Sequence, residues 1–594
     1  MTVLSSLVHA YEHMLERGEV PPFGYSQEKI GYLVALTREG RPAIDPVDLR
    51  QRDGSRVLAR VMTVPQPEKR TSGIAPNYLW DKAAYALGVT TGSAGRAAKA
   101  HSAFIERHAS LLAGAEDPGL VALRLFLDWW RPQRFKELGW PEEMRDQNIV
   151  FALEEERLTE VCLHDRPAAR HVWAQVHIRE PRAQALCLVT GQRGPVARLH
   201  PLIKGVWGAQ SSGASIVSFN LDASTSYGNA QGDNAPVSEA AAFAYVAALN
   251  RLLERDSGRC LQIGDMSTVF WARGCDTRRA EQLFLGLFAD TGEGAGETMG
   301  ETPRGGTRPA SIRSTHELAR LRASFPQQLR FHILGLSPNA ARISLRFHVE
   351  DDFFALIERC IRHLERLRVE PPAKDPMPPL WRLLLETAVL RKSENICPNL
   401  AGEWMRAIVT DAPYPRILMT RVFERLRADG DVNALRVGIL KSVLIRNFED
   451  ALTGEVPVSL DETCREPGYV LGRLFAVYER LQTAAFGRNL NASIRERYYG
   501  TASSQPRRIF PLLDKMSVPH LIRVGNQNPA HRAVLERMIG GIWEAMVPGE
   551  DPFPEYLADQ QQAFFALGYY HQRSALFQKN DKAGTQRLAG EELA

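Results

Sequence analysis

Cysteine is scarce. There are seven in 594 residues, at Cys162, Cys187, Cys260, Cys275, Cys360, Cys397 and Cys464, an odd number with no CxxC pair. That excludes a disulfide framework and a zinc ribbon and makes a reducing cytoplasm the simplest setting. Long apolar runs are missing as well, and none approaches the ~20 residues that span a bilayer. Residues 1–20 open an amphipathic helix carrying Glu12, Glu16 and Glu19, with no basic leader before an apolar stretch, so a signal peptide is not expected. Charge of one sign is not in excess either. Lys plus Arg is 73 and Asp plus Glu is 69, a formal net charge of +4, so only the distribution of charge can speak for a polyanionic partner.

Catalytic signatures are the next absence. The phosphate-cradling GxxxxGK[ST], the zinc-binding HExxH and the nucleophile elbow GxSxG do not occur. Gly292, Gly294 and Gly296 imitate a dinucleotide turn, but the third glycine is out of register and no strand precedes them. Glu154, Glu155 and Glu156 read as a solvated face. His164 and Asp165, with His171 and His177 nearby, are assigned no third ligand and read as polar surface and satisfied core histidines. A serine nucleophile beside Lys204 would lack an identifiable base. The expectation is a protein that is not an enzyme, with no metal and no cofactor.

What is present is a folded chain, 44% hydrophobic, of two to four domains. The fold class expected is α+β, a mixed α/β N-terminal domain followed by an all-helical C-terminal bundle. Strands are expected at 31–37, 56–64, 148–153, 185–190, 215–220 and 267–272, and helices at 97–112, 118–130 and 236–255. The Gly-rich, apolar-poor stretch 291–308 reads as a surface loop. Two alternating apolar runs flank Ser337-Pro338-Asn339, a hairpin signal, and a helix is expected over 352–368. Residues 369–380 (VEPPAKDPMPPL) are the best linker, since their prolines block helix and central strand alike. From Trp381 onward the apolar spacing is helical. The domains expected are therefore 1–368, the linker 369–380, and 381–594.

Two segments carry binding chemistry. In 187–239, Arg193, Arg198, His200 and Lys204 supply positive charge with no carboxylate between them. Trp207, Gln210, Ser211 and Ser212 follow among glycines, and then Asn220, Ser224, Thr225, Ser226, Tyr227, Asn229, Gln231 and Asn234. Small polar side chains and glycine let backbone approach a polyanion, amides can bond base edges, and Tyr and Trp can stack. The plainer reading is a polar loop capping a sheet. In 68–88, Lys69 and Arg70 precede a Ser72-Gly73 turn, and Asn77 precedes a Tyr78-Leu79-Trp80 anchor. Basic shoulders and one exposed amide suit a nucleic-acid groove; an ordinary turn entering a helix is the alternative.

Several long motifs in these and later segments occur in a fixed order: SGIAPNYLWD, LVTGQ, ARLHPLIKGVWGAQSSGASIVSFN, SYGNAQGDNAPVSE, IGDMSTVFWA, LGLSPNAARISLRF, RKSENICPNLAGEWMRAI and FALGYYHQR. Together they resemble the large subunit of the type I-C CRISPR surveillance complex, Cascade (the Csd family). The resemblance implies RNA-guided DNA binding, in which guide pairing reads sequence and the protein reads a short flanking motif. It implies as partners CRISPR RNA, double-stranded target DNA and its displaced strand, the Cascade backbone and 5′-cap subunits, a helicase-nuclease, and a small subunit made from this chain's own C-terminal region, about 470–594. On that reading Lys69, Arg70, Ser72, Gly73 and Asn77 lie near the flanking motif. Lys204, Gln210, Ser211, Ser212, Asn220, Ser226 and Tyr227 contact phosphates or a base at the fork. Arg473, Arg480, Arg488, Arg495, Arg497, Arg507 and Arg508 line the path of the displaced strand. No methionine stands between Met419 and Met516, so an internal product starting near Val470 would need a non-AUG start. A nuclease or serine hydrolase using 208–215, and a pure protein scaffold, are the competing readings.

Overall fold

Residues 32–36 and 148–153 are apolar almost throughout, the pattern of strands covered on both faces. In the computed structural model they pair in parallel, Tyr32–Leu36 against Asn148–Leu153, at the centre of a four-stranded sheet. Val47–Asp48 and Trp80–Lys82 flank them as antiparallel edges. The structure describes residues 2–53, 56–68, 70, 73–178, 184–274, 277–288, 320, 325, 329–375, 377–452, 454–487, 492–546 and 551–591. The segment 291–308 lies outside them, as do Lys69, Ser72 and Arg488. The chain is α+β and divides into two units, Met1–Pro201 with Ser218–Arg251, and Leu202–Val217 with Leu252–Ala594.

In the first unit the period-two alternation of the strands sorts two cores. Tyr32, Val34, Leu36, Ile149, Phe151 and Leu153 join the helices Ala94–Leu111 and Pro118–Trp129 on one face. Leu33, Ala35, Val150 and Ala152 meet Ile30, Val64, Trp80 and Cys162 on the other. Helix Pro118–Trp129 begins where Asp117 accepts the N–H groups of Gly119 and Leu120 and proline fills the first helical position. The strand expected at 185–190 is shorter. Gln184–Leu186 pairs with Arg193–Pro195 and stops, because the chain turns through Gly191 at φ +70°.

In the second unit Cys260–Ile263, Met266–Arg273, Arg330–Asn339 and Arg342–Asp352 form an antiparallel meander in chain order. Helices Thr277–Phe288 and Phe353–Leu367 cover one face, where Phe270, Phe284, Phe331 and Phe353 pack ring to ring at 4.9–5.2 Å. The hairpin turns at Ala340-Ala341, two residues later than expected. Pro338 stays in the strand because it lies beyond the last rung with Met266–Arg273, Ser267↔Leu336, where a missing N–H interrupts no ladder. The strand expected over 215–220 does not form. Ser215 makes one bridge to Arg342, and the chain then departs. Residues 369–380 run within this unit, pinned where Tyr570 Oη donates to Pro371 O.

The C-terminal helices are built around backbone contact between Pro467–Phe486 and Asp559–Glu591. A Cβ on Gly468 would stand 2.0 Å from Gln561 O, on Gly472 2.1 Å from Phe565 O, and on Gly568 2.1 Å from Tyr469 O. Glycine is required at all three because the helices touch main chain to main chain. Gly472→Ala is expected to destabilise the chain by about 1–3 kcal/mol through overpacking, read as a lowered melting temperature; an unchanged melt would refute the contact.

Candidate nucleic-acid interface

The 68–82 loop is organised from below by a carboxylate. Asp81 is fully buried and accepts from Asn77 N at 2.8 Å and from Lys82 N at 2.7 Å. Arg70 Nη2 donates both to Asp81 Oδ2 and to Asn77 Oδ1, its Nε donates to Ala75 O at 2.6 Å, and its guanidinium lies 3.9 Å over the Tyr85 ring. Burial pushes the Asp81 carboxyl up from its ordinary value, and the Arg70 charge and the two N–H groups pull it back. Below this, Tyr78 stacks parallel to Trp173 at 5.2 Å and to His108 at 6.0 Å. Leu79, held at φ +62°, donates its N–H to His108 Nε2.

Asn77 was expected as an exposed amide and is instead 3% exposed. Its Oδ1 accepts from Glu68 N and Arg70, so it closes the base of the loop. The part left outside is Gly73 and Ile74, both exposed, with open space around Gly73.

The polar segment 187–239 is divided between the units. In the second unit, Ile203 and Ala214 pair across a loop that presents Lys204, Trp207, Gln210, Ser211 and Ser212 at its surface. Gly213 closes that loop at φ +103°, and Trp207 N donates to Ser267 Oγ. In the first unit, Asn220 and Ser226 are exposed, and Ser226↔Asn229 forms a tight turn whose central residues, Tyr227 and Gly228, both have positive φ. Tyr227 is fully exposed at that tip. The turn rests on a fixed base: Asn234 Oδ1 accepts from Ser226 N, and Gly232 sits against Ala197 O so closely that a Cβ would meet it at 2.1 Å. Arg193 and Arg198 are exposed in the same unit. His200 adds no charge there, because it is buried against Tyr245 Oη and desolvation lowers its pKa.

The C-terminal arginines are not equivalent. Arg473 is 4% exposed, its Nε donating to Gln572, because it lies on the buried side of its helix; it is corrected from a strand contact to a core residue. Arg495 is half-buried 3.9 Å from Glu479, and Arg480 is half-buried. Arg507 is exposed but ion-paired with Asp551. Arg497 and Arg508 are exposed, Arg508 bonded to Gln505.

Residues 7–577 match the family model for CRISPR-associated protein (Cas_Csd1). The chain belongs to this family. No curated protein matches it. As a Cas_Csd1 protein it is a large subunit of the CRISPR Cascade type, and no described helix is long and apolar enough to cross a membrane.

One grouping in this Cas_Csd1 chain escaped the sequence reading. Cys162, His164 and Asp165 bring ligand atoms within 4.8 Å of one another. The C-x-H spacing of Cys162-Leu163-His164 was the signal, and it makes His164 neither surface nor satisfied, for it is 1% exposed with Nδ1 unpartnered.

The interface rests on a neutral histidine. His108 Nδ1 donates to Phe104 O, which leaves Nε2 to accept from Leu79, and burial lowers its pKa to about 4. The unfolded chain takes up this proton near pH 6.5, so stability present above that value is lost as pH falls toward 4. The slope is about 1.4 kcal/mol per pH unit for one proton. His101, His332, His363 and His571 carry the same sign. His108→Gln, which keeps an acceptor for Leu79, is expected to flatten part of this acid destabilisation in melts between pH 4 and 7; an unchanged slope would show that His108 is not neutral in the native state.

Proposed function

We propose that this Cas_Csd1 chain is a non-catalytic, nucleic-acid-binding subunit of a CRISPR RNA-guided complex. It reads the motif flanking the target on duplex DNA, promotes strand separation, stabilises the displaced strand and recruits the helicase-nuclease. The observation that carries this reading is the 68–77 loop, an exposed Gly73-Ile74 tip over a base locked by Asp81, Arg70 and Asn77. A loop whose base is already held enters a groove at a smaller ordering cost. Since the Asn77 amide is engaged within the loop, Asn77 and Arg70 position the Gly73-Ile74 tip that meets the duplex; Lys69 and Ser72, on the same stretch of sequence, are assigned to the same contact.

The other elements support this chemistry separately. Lys204 with Gln210, Ser211 and Ser212 offers a cation and small polar groups suited to phosphate. Tyr227 offers a base a fully exposed aromatic face at the tip of a two-residue turn. Of the C-terminal arginines singled out in the sequence, Arg497 and Arg508 are, among the described residues, exposed without an ion pair to a carboxylate, and they are assigned to the displaced strand. CRISPR RNA, the Cascade backbone and cap subunits and a small subunit derived from the C-terminal region are the partners this assigns.

A competition gel shift with the guide-loaded complex tests the reading, using targets that differ only in three flanking base pairs. Discrimination is expected only when this chain is present; equal binding without it would leave a scaffold, and cleavage by the isolated chain would overturn the non-catalytic role. Lys204→Ala is expected to weaken binding to every target and flatten the salt dependence by about one unit. Tyr227→Ala is expected to cost about 1–3 kcal/mol regardless of flanking sequence. Asn77→Ala is expected to loosen flanking-motif discrimination, and parental discrimination in that variant would remove the loop from the site.

A further inference from the structure

We propose that Cys162, His164 and Asp165 form a zinc site in the first unit. The three lie in one short turn, Leu163–Asp165 with Cys162 as its cap, and offer a thiol sulfur, an imidazole nitrogen and a carboxylate oxygen within 4.8 Å of one another. Sulfur, nitrogen and oxygen donors gathered at that separation suit a tetrahedral, borderline-soft divalent cation, and zinc before calcium or magnesium.

Two features go beyond the turn's own hydrogen bonds. His164 is 1% exposed, yet its Nδ1 has no partner, which is costly for a buried polar atom. Its other nitrogen, Nε2, stands 3.8 Å from Asp165 Oδ2, too far for a hydrogen bond, so neither ring nitrogen is bonded within the turn. A dication bound there would hold the Cys162 sulfur as a thiolate, its proton released to solvent. Asp165 Oδ2 already accepts from Cys162 N, and Arg170 lies 3.6 Å from Oδ1; the carboxylate keeps lone pairs for a further contact. Asp165 is 34% exposed while the other two are buried, so solvent reaches the cluster from its side and could supply a fourth ligand. The ion would tie this turn to the core that Cys162 shares with Val64, Trp80 and Val150.

The test uses the untagged full chain purified under reducing conditions. Elemental analysis is expected to find about one zinc per chain, and cobalt replacing it is expected to give a sulfur-to-metal charge-transfer band. Cys162→Ser keeps an acceptor for the capping hydrogen bond and Asp165→Asn keeps one for Cys162 N–H, so both preserve the turn. Loss of the cobalt band in Cys162→Ser, and at least tenfold weaker zinc binding in either variant with an unchanged circular-dichroism spectrum, support the site. Zinc far below stoichiometry together with no band on adding cobalt overturns it, as does a band that persists in Cys162→Ser.

Discussion

A charge taken out of water must be answered at once, and in the first unit that charge is the Asp81 carboxylate. It stands at the junction of an edge strand and a loop and gathers two backbone N–H groups and one guanidinium. The guanidinium in turn fixes Ala75 and Asn77 and flattens against Tyr85. Remove the carboxylate and Arg70 loses its anchor, Asn77 loses the acceptor for its own N–H, and the exposed tip loses its geometry. A buried pair of this kind contributes little net stability, but breaking one half is costly. What it secures is a fixed base for the loop, with Ala75 and Asn77 held in place.

Much of the fold was legible because burial on two faces leaves a plain mark. Residues 32–36 and 148–153 could hardly be anything but central strands, and the helices from 400 onward announce themselves by spacing. The misreadings share a cause. Ser337-Pro338-Asn339 has turn composition, yet its place past the end of the neighbouring strand made proline harmless there. Residues 215–220 have strand composition, but they find only one rung of partner.

The candidate site was legible in outline and not in detail. Composition identified the segments that carry glycine, amides and cations, and it could not say which of those side chains face inward. Asn77 and Arg473 look alike on paper to exposed residues; their partners, Glu68 with Asp81 and Gln572, decide otherwise, and the last of these lies 99 positions away. Tyr227 was visible only as an aromatic in a polar run, whereas its exposure follows from a turn with two positive φ angles. Cys162 and His164, separated by one residue, were read separately because each has an ordinary explanation alone.

The contact of Pro467–Phe486 with the last helix also sets where the chain could be divided. A polypeptide beginning at Val470 would keep Gly472 against Phe565, one of the three close main-chain approaches of the seam. It would forfeit Gly468, whose N–H is received by Gln561, and Tyr469, which bonds His571. Such a fragment would begin with a frayed first turn and leave His571 without its phenol. An independently made C-terminal piece would therefore have a looser entrance than the same residues have in the parent chain, and a start only a few codons upstream would close it.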